Sequence, residues 1–291
     1  DYSLFRNYAA QVRETPDSEA LDLVMLGDSV IWGEYVAKEN SWPAELTQIW
    51  NASVNGSGNE RAIQIWNFGL NGAHPTALRG LIRLHGDWGR STPMIIHFNP
   101  LWMTSPERDL STDKPAPFNH PALAPQFSER PKVYKEELGE RLRVAVGQRA
   151  GFLLWAQGMR IRHLDGYDWS GWAMENPRST PLDAEFVQKS EDLWKDNGIR
   201  EGVEAISWEE RRIPKQSFSW VDPADSYQWA QFQQLMDELR EQGRKFLVVL
   251  GPLNTWVMKD TELPIYQNLL DQVESVLKDK SIPCWRPDPV T

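Results

Sequence analysis

The residues best suited to covalent chemistry lie early in the chain, in Gly27-Asp28-Ser29-Val30-Ile31-Trp32-Gly33. They follow Leu21-Asp22-Leu23-Val24-Met25-Leu26, a short, branched apolar run that reads as a buried strand. A serine at the carboxyl end of a first buried strand sits where open α/β sheets place their ligands. Glycines on either side let the backbone turn sharply and leave the hydroxyl uncovered. The chemistry this offers is acyl transfer. A serine hydroxyl attacks an ester carbonyl once a neighbouring base takes its proton, and preorganised donors stabilise the resulting oxyanion. The same residues also suit a helix cap or a strand-to-loop turn.

Two later stretches extend the pattern. Ile63-Gln64-Ile65-Trp66-Asn67-Phe68-Gly69-Leu70-Asn71-Gly72 reads as a second strand leaving through a glycine-rich turn, and Met94-Ile95-Ile96-His97-Phe98-Asn99-Pro100 as a third strand ending in asparagine. With these three strand ends the chain resembles the SGNH (GDSL-like) hydrolase and acyltransferase superfamily. The match is Gly-Asp-Ser after strand one, a loop glycine after strand two and an asparagine after strand three. The resemblance implies that Ser29 is the nucleophile. It also implies an oxyanion hole made by the backbone N–H groups of Ser29 and Gly72 with the side-chain amide of Asn99. Two features depart from the family. Its usual Gly-x-Asn-Asp is His97-Phe98-Asn99-Pro100 here, and its closing Asp-x-x-His does not occur; the nearest stretch is Asp288-Pro289-Val290-Thr291. The expectation is that the missing histidine lies beyond Thr291. The implied function is a serine esterase acting on an acyl ester, acetyl among the candidates, of a carbohydrate or small molecule. The alternatives are a polysaccharide O-acetyltransferase using the same serine and a non-catalytic carbohydrate-binding protein.

Other residues fill supporting roles. The five histidines are His74, His85, His97, His120 and His163, and none has the spacing of a metalloprotease helix, so neither a metal nor another cofactor is expected. His74 and His97 each lie two residues from a proposed oxyanion donor. Side chains two apart on a strand share a face, so His97 either accompanies Asn99 towards Ser29 or is hydrogen-bonded inside the sheet edge. Asp28, His97, His74 and Asp288 are the secondary catalytic candidates. Asp165 and Asp168 read either as a carboxylate pair of the glycosidase type or, more in keeping with a glycine-containing loop, as turn formers. Among 15 tryptophans, Trp66, Trp155, Trp256 and Trp285 sit in apolar runs and read as core. Trp32, Trp102, Trp169 and Trp172 are candidates for stacking on a sugar, although an inserted cap also needs a core of its own. The single Cys284 excludes an internal disulfide and reads as a buried strand residue.

The elements that must position these residues follow from composition and pattern. A chain of 291 residues, 41% hydrophobic and 25% charged, can bury a sizeable core. A formal net charge of −10 argues against nucleic acid and against docking on anionic lipid. No apolar run approaches the roughly 20 residues that span a bilayer. The partner expected is therefore a small-molecule or polysaccharide ester. The chain opens without methionine, and the expectation is an extracytoplasmic protein whose signal or anchor has been removed. Helical patterns run from Trp42, over 74–84, 133–149, 227–242 and 263–278, and strands over 245–250 and 281–285. Residues 104–131 hold many prolines, which excludes regular structure over most of that length. The fold expected is a three-layer α/β/α domain on a flavodoxin-like parallel sheet of about five strands. It is formed by 1–99 and 224–291, with 100–223 inserted as a large cap.

Overall fold

The branched runs seen in the sequence form five strands, and their pairing sets the architecture. The computed structural model describes residues 20–34, 36–54, 61–85, 92–112, 120, 123–127, 137–149 and 212–288. The strands are β1 (Leu21–Gly27), β2 (Ile63–Gly69), β3 (Met94–Phe98), β4 (Phe246–Leu250) and β5 (Cys284–Trp285). All pair in parallel, in the order β2-β1-β3-β4-β5. This is the flavodoxin-like order, with helices filling the crossovers that parallel neighbours require. The register aligns Gly27 with Gly69 and Leu26 with Ile96, so the three motif-bearing strands end on one edge of the sheet. The chain moves from β1 outward to β2 and then back across β1 to β3. The switch point therefore lies between the carboxyl ends of β1 and β3, where such sheets bind ligands.

The helices are α1 (Ser29–Trp32), α2 (Trp42–Val54), α3 (Pro75–His85), α4 (Pro106–Asp109), α5 (Leu138–Arg149), α6 (Tyr227–Glu241) and α7 (Leu263–Asp279). Alternation along the strands sends Val24, Leu26, Ile96, Phe98, Val248 and Leu250 into the main core, packed by α3, α6 and α7. Met25, Ile63, Ile65 and Ile95 face the other way, against Ile31 of α1 and Trp42 and Leu46 of α2. Asp109 at the end of α4 holds the start of α6: its carboxylate accepts from the Ser226 hydroxyl (2.5 Å) and the Tyr227 and Gln228 N–H groups (2.9 and 3.1 Å). Burial raises the Asp109 pKa, and the bonds from Ser226, Tyr227 and Gln228 oppose that rise.

The excursion after β3 leaves and returns at one place. A 3-10 turn (Pro100–Met103) follows β3, and Ser219 and Val221 donate their N–H groups to the carbonyls of Thr104 and Met103 (3.0 and 2.9 Å). Residues 150–211, half of the expected cap and including Trp155, Asp165 and Asp168, lie outside the described residues. Two expectations need correction. The fifth strand is two residues long, not five, and Cys284 within it is only partly buried. Trp256 and Trp285 are exposed rather than core, because one sits in a 3-10 turn beyond β4 and the other on the sheet's edge strand. Within the proline-rich stretch the described residues include a one-turn helix, α4, compatible with the expectation of little regular structure there; Pro106 holds its first position, where the missing N–H costs nothing. Among the described residues no helix is long and apolar enough to cross a membrane.

Candidate active site

The nucleophile candidate stands on the shortest helix of the sheet's smaller face. Asp28 caps α1, its Oδ1 accepting from the Val30 N–H (3.1 Å), and Ser29 is the first helical residue, partly exposed. The helix lies directly on the strand ends. A Cβ at Gly69 would stand 2.1 Å from the Trp32 nitrogen and 2.5 Å from the Ile31 carbonyl carbon, and one at Gly27 would stand 2.3 Å from Ile31 Cγ1. Real Cβ atoms do not approach so closely, so glycine at both positions lets α1 sit where it does. Asn67 supports the arrangement from β2: its amide donates to the Ile31 carbonyl (2.8 Å) and its oxygen accepts from the Gly69 N–H (2.8 Å).

Asn99 joins Ser29's neighbour from the next strand. Its Oδ1 accepts from the Leu101 N–H (3.0 Å), which fixes the amide so that Nδ2 donates to Asp28 Oδ2 (2.6 Å). The reverse orientation would set oxygen against oxygen. One N–H of Nδ2 is thereby engaged and the second remains for another acceptor. Asn99 and Asp28 are both buried, at 3% and 4% exposure.

His97 enters the same cluster from beneath. Its ring is completely buried, edge-on to Trp42 (centroids 5.6 Å apart), with Nδ1 3.6 Å from Asp28 Oδ1. That separation is too long for a hydrogen bond, and neither ring nitrogen has a hydrogen-bond partner among the described residues. The shared face expected for His97 and Asn99 is present, and both address Asp28. With no exposed ring atom, His97 has no open path to a substrate.

Gly72 leaves the same sheet edge, three residues beyond the Gly27–Gly69 pair. The Ala73 N–H closes a turn on the Leu70 carbonyl (2.9 Å), and Gly72 has φ +68°. The Gly72 N–H has no acceptor among the described residues. Three contacts hold the turn. Asn71 Nδ2 donates to Glu34 Oε1 (3.2 Å), Trp102 Nε1 donates to the Ala73 carbonyl (3.1 Å), and His120 Nε2 lies 2.6 Å from the Asn71 carbonyl. His74 follows the turn. Burial is the main force on its pKa, lowering it to about 4; Asp28 opposes that shift, while His120 and Arg108 add to it. The His74 ring is thus neutral at physiological pH.

The remaining candidates divide. Trp102 is a correction: at 4% exposure it packs against Phe98 and Phe232 and offers no free face for a sugar. Trp32 is partly buried on α1, and Asp288 is exposed just past β5, separated from β1 by β3 and β4. Trp169, Trp172 and His163 lie outside the described residues. Glu34, Asn67, Asn71 and His120 join the site without having been anticipated. The Asn71-Gly72 dipeptide belongs to the glycine-rich turn already read in the sequence, whereas nothing in the spacing of His120 announces its contact. Among the described residues no group of histidine, cysteine and carboxylate side chains is arranged to hold a metal. No protein-family model matches the chain, and no curated protein matches it.

Proposed function

We propose that the protein is a serine acyl-transfer enzyme of the SGNH type that hydrolyses an acyl ester of a carbohydrate or small molecule. One observation carries the reading: the carboxyl ends of β1, β2 and β3 share one edge at the switch point of a parallel sheet, where Ser29 follows β1 and two open hydrogen-bond donors follow β2 and β3. The Gly72 N–H has no acceptor among the described residues, and Asn99 Nδ2 retains one N–H after serving Asp28. Donors left open at the same strand ends as a serine suit a charge that develops only during reaction.

In this reading a general base takes the Ser29 proton as its oxygen attacks the ester carbonyl, the oxyanion settles among the Ser29 N–H, Gly72 N–H and Asn99 amide, and the C–O bond to the alcohol breaks as that proton passes to the departing oxygen. Water then releases the acyl group; a sugar hydroxyl in its place would make the same site an O-acetyltransferase. Asp28 anchors the arrangement by capping α1 and orienting Asn99. The general base is assigned to neither nearby histidine. His97 is enclosed, and His74, at about 4, is too weak a base to match neutral-pH chemistry.

The test is covalent labelling with a fluorophosphonate together with turnover of 4-nitrophenyl acetate. The wild-type chain is expected to label at Ser29, and Ser29→Ala to remove both labelling and turnover without loss of stability. Labelling at another residue, or equal turnover in Ser29→Ala, would sink the assignment. Transfer to an oligosaccharide that exceeds hydrolysis would favour the acetyltransferase form.

A further inference from the structure

We infer that His120 is a positioning residue for the oxyanion donor at Gly72, an inference that rests on the acyl-transfer reading above. Leu70, Asn71, Gly72 and Ala73 form a β-turn closed by the Ala73 N–H on the Leu70 carbonyl (2.9 Å). Asn71 is not among the described residues with positive φ, whereas Gly72 has φ +68°. Negative φ at the second position and positive φ at the third is the signature of a type II turn, which differs from type I chiefly by a flip of the central peptide. Here that peptide joins the Asn71 carbonyl to the Gly72 N–H. Glycine at the third position accepts either orientation, so the turn alone does not fix where the N–H points.

His120 fixes it. Its Nε2 lies 2.6 Å from the Asn71 carbonyl oxygen, which can only accept, so the ring proton sits on Nε2 and the Nδ1 side is the acceptor. The peptide is planar and trans, so a carbonyl held towards His120 sends the Gly72 N–H the opposite way. The same bond draws electron density towards the carbonyl oxygen and makes the N–H at the other end a stronger donor. Burial lowers the His120 pKa and the bond to Asn71 opposes that shift. Glu34 holds the Asn71 side chain and Trp102 the Ala73 carbonyl, but neither touches the central peptide. His120 reaches it from 49 residues away.

Two measurements test this. In the wild-type protein, ¹⁵N shifts of the histidine rings report the tautomer of His120 directly; the Nε2–H form is expected, and an Nδ1–H form would overturn the inference. The second compares His120→Leu, which cannot donate, with His120→Gln, which can. Labelling with ¹³C-carbonyl asparagine and ¹⁵N-glycine selects the Asn55-Gly56, Asn71-Gly72 and Asn197-Gly198 peptides. The Gly72 signal should move in His120→Leu and return towards its wild-type position in His120→Gln. Aryl-ester kcat should fall about 10- to 100-fold in His120→Leu with KM little changed, less than the loss of a whole donor, and recover in His120→Gln. A Gly72 signal unmoved in a folded His120→Leu protein overturns the inference, as does an unchanged kcat. A wild-type chain with neither aryl-ester turnover nor Ser29 labelling sinks the acyl-transfer reading and the oxyanion role with it. The Gly72 signal then still decides separately whether His120 holds the peptide.

Discussion

Adjacent residues of one strand serve two unlike surfaces in this protein. In β3, Ile96 and Phe98 enter the main core, while Ile95 and His97 turn towards α1 and α2 and Asn99 follows at the strand end. The main face is chiefly aromatic and aliphatic, with Phe98 packed against Trp102, Trp229 and Phe232 at centroid distances of 5.6, 5.3 and 5.1 Å. The smaller face buries Asp28, His97 and Asn99 at its carboxyl end. Buried polar groups cost free energy unless they are hydrogen-bonded, and His97 has no such bond among the described residues. The contrast teaches that stability is concentrated on one face. The other face tolerates a costly arrangement where the proposed chemistry sits.

The comparison breaks first at Phe98. Truncating this fully buried ring to alanine should remove about 3–5 kcal/mol. Denaturant melts of Phe98→Ala that lose less than about 1 kcal/mol would mean that the main face is not the stability reservoir. The next effect is acid sensitivity. His74 is held neutral in the folded state, with its pKa near 4 instead of 6.5. Between those values the unfolded chain binds the extra proton, so stability is fully present above pH 6.5 and declines as pH falls towards 4. The decline attributable to His74 is on the order of 3 kcal/mol. Subtracting the pH profile of His74→Gln from that of the wild type isolates this contribution, and parallel profiles would refute it.

Gly69→Ala comes third. Its methyl would meet the Ile31–Trp32 backbone, which has no side chain to yield, so overpacking should cost about 1–3 kcal/mol and displace Ser29. Loss of ester turnover is expected to exceed the loss of stability, and the reverse would show that α1 adjusts freely. The smallest effect sharpens the contrast most. His97→Leu, one residue from Phe98, replaces an unbonded buried ring by an apolar side chain and should change stability by no more than about 1 kcal/mol. A penalty like that of Phe98→Ala would erase the distinction between the faces.

What the sequence conveyed follows the same division. Strands β1, β3 and β4 were legible because each is a run of branched apolar residues, and the order of motifs at their ends placed Ser29, Gly72 and Asn99 on one sheet edge. Helix α1 was not legible: four residues are too few to show a helical period, and its position depends on missing Cβ atoms in β1 and β2. Trp102 read as a loop residue because Pro100 and Pro106 flank it, yet the 3-10 turn folds its ring back into the core. Trp256 and Trp285 misled in the opposite sense, since an apolar run does not say whether its strand ends at a rim or an edge. The contact from His120 to Asn71 joins two loops, and no periodicity encodes such a pair.

Trp102 also ties the two regions together in time. Its ring is part of the aromatic cluster, while its indole N–H is bonded to the Ala73 carbonyl beside the Gly72 turn. Any swing of that turn away from the sheet must release this proton. Its rate of exchange with solvent therefore clocks the turn's excursions: as slow as whole-molecule unfolding if turn and core open as one unit, and faster if the turn opens alone.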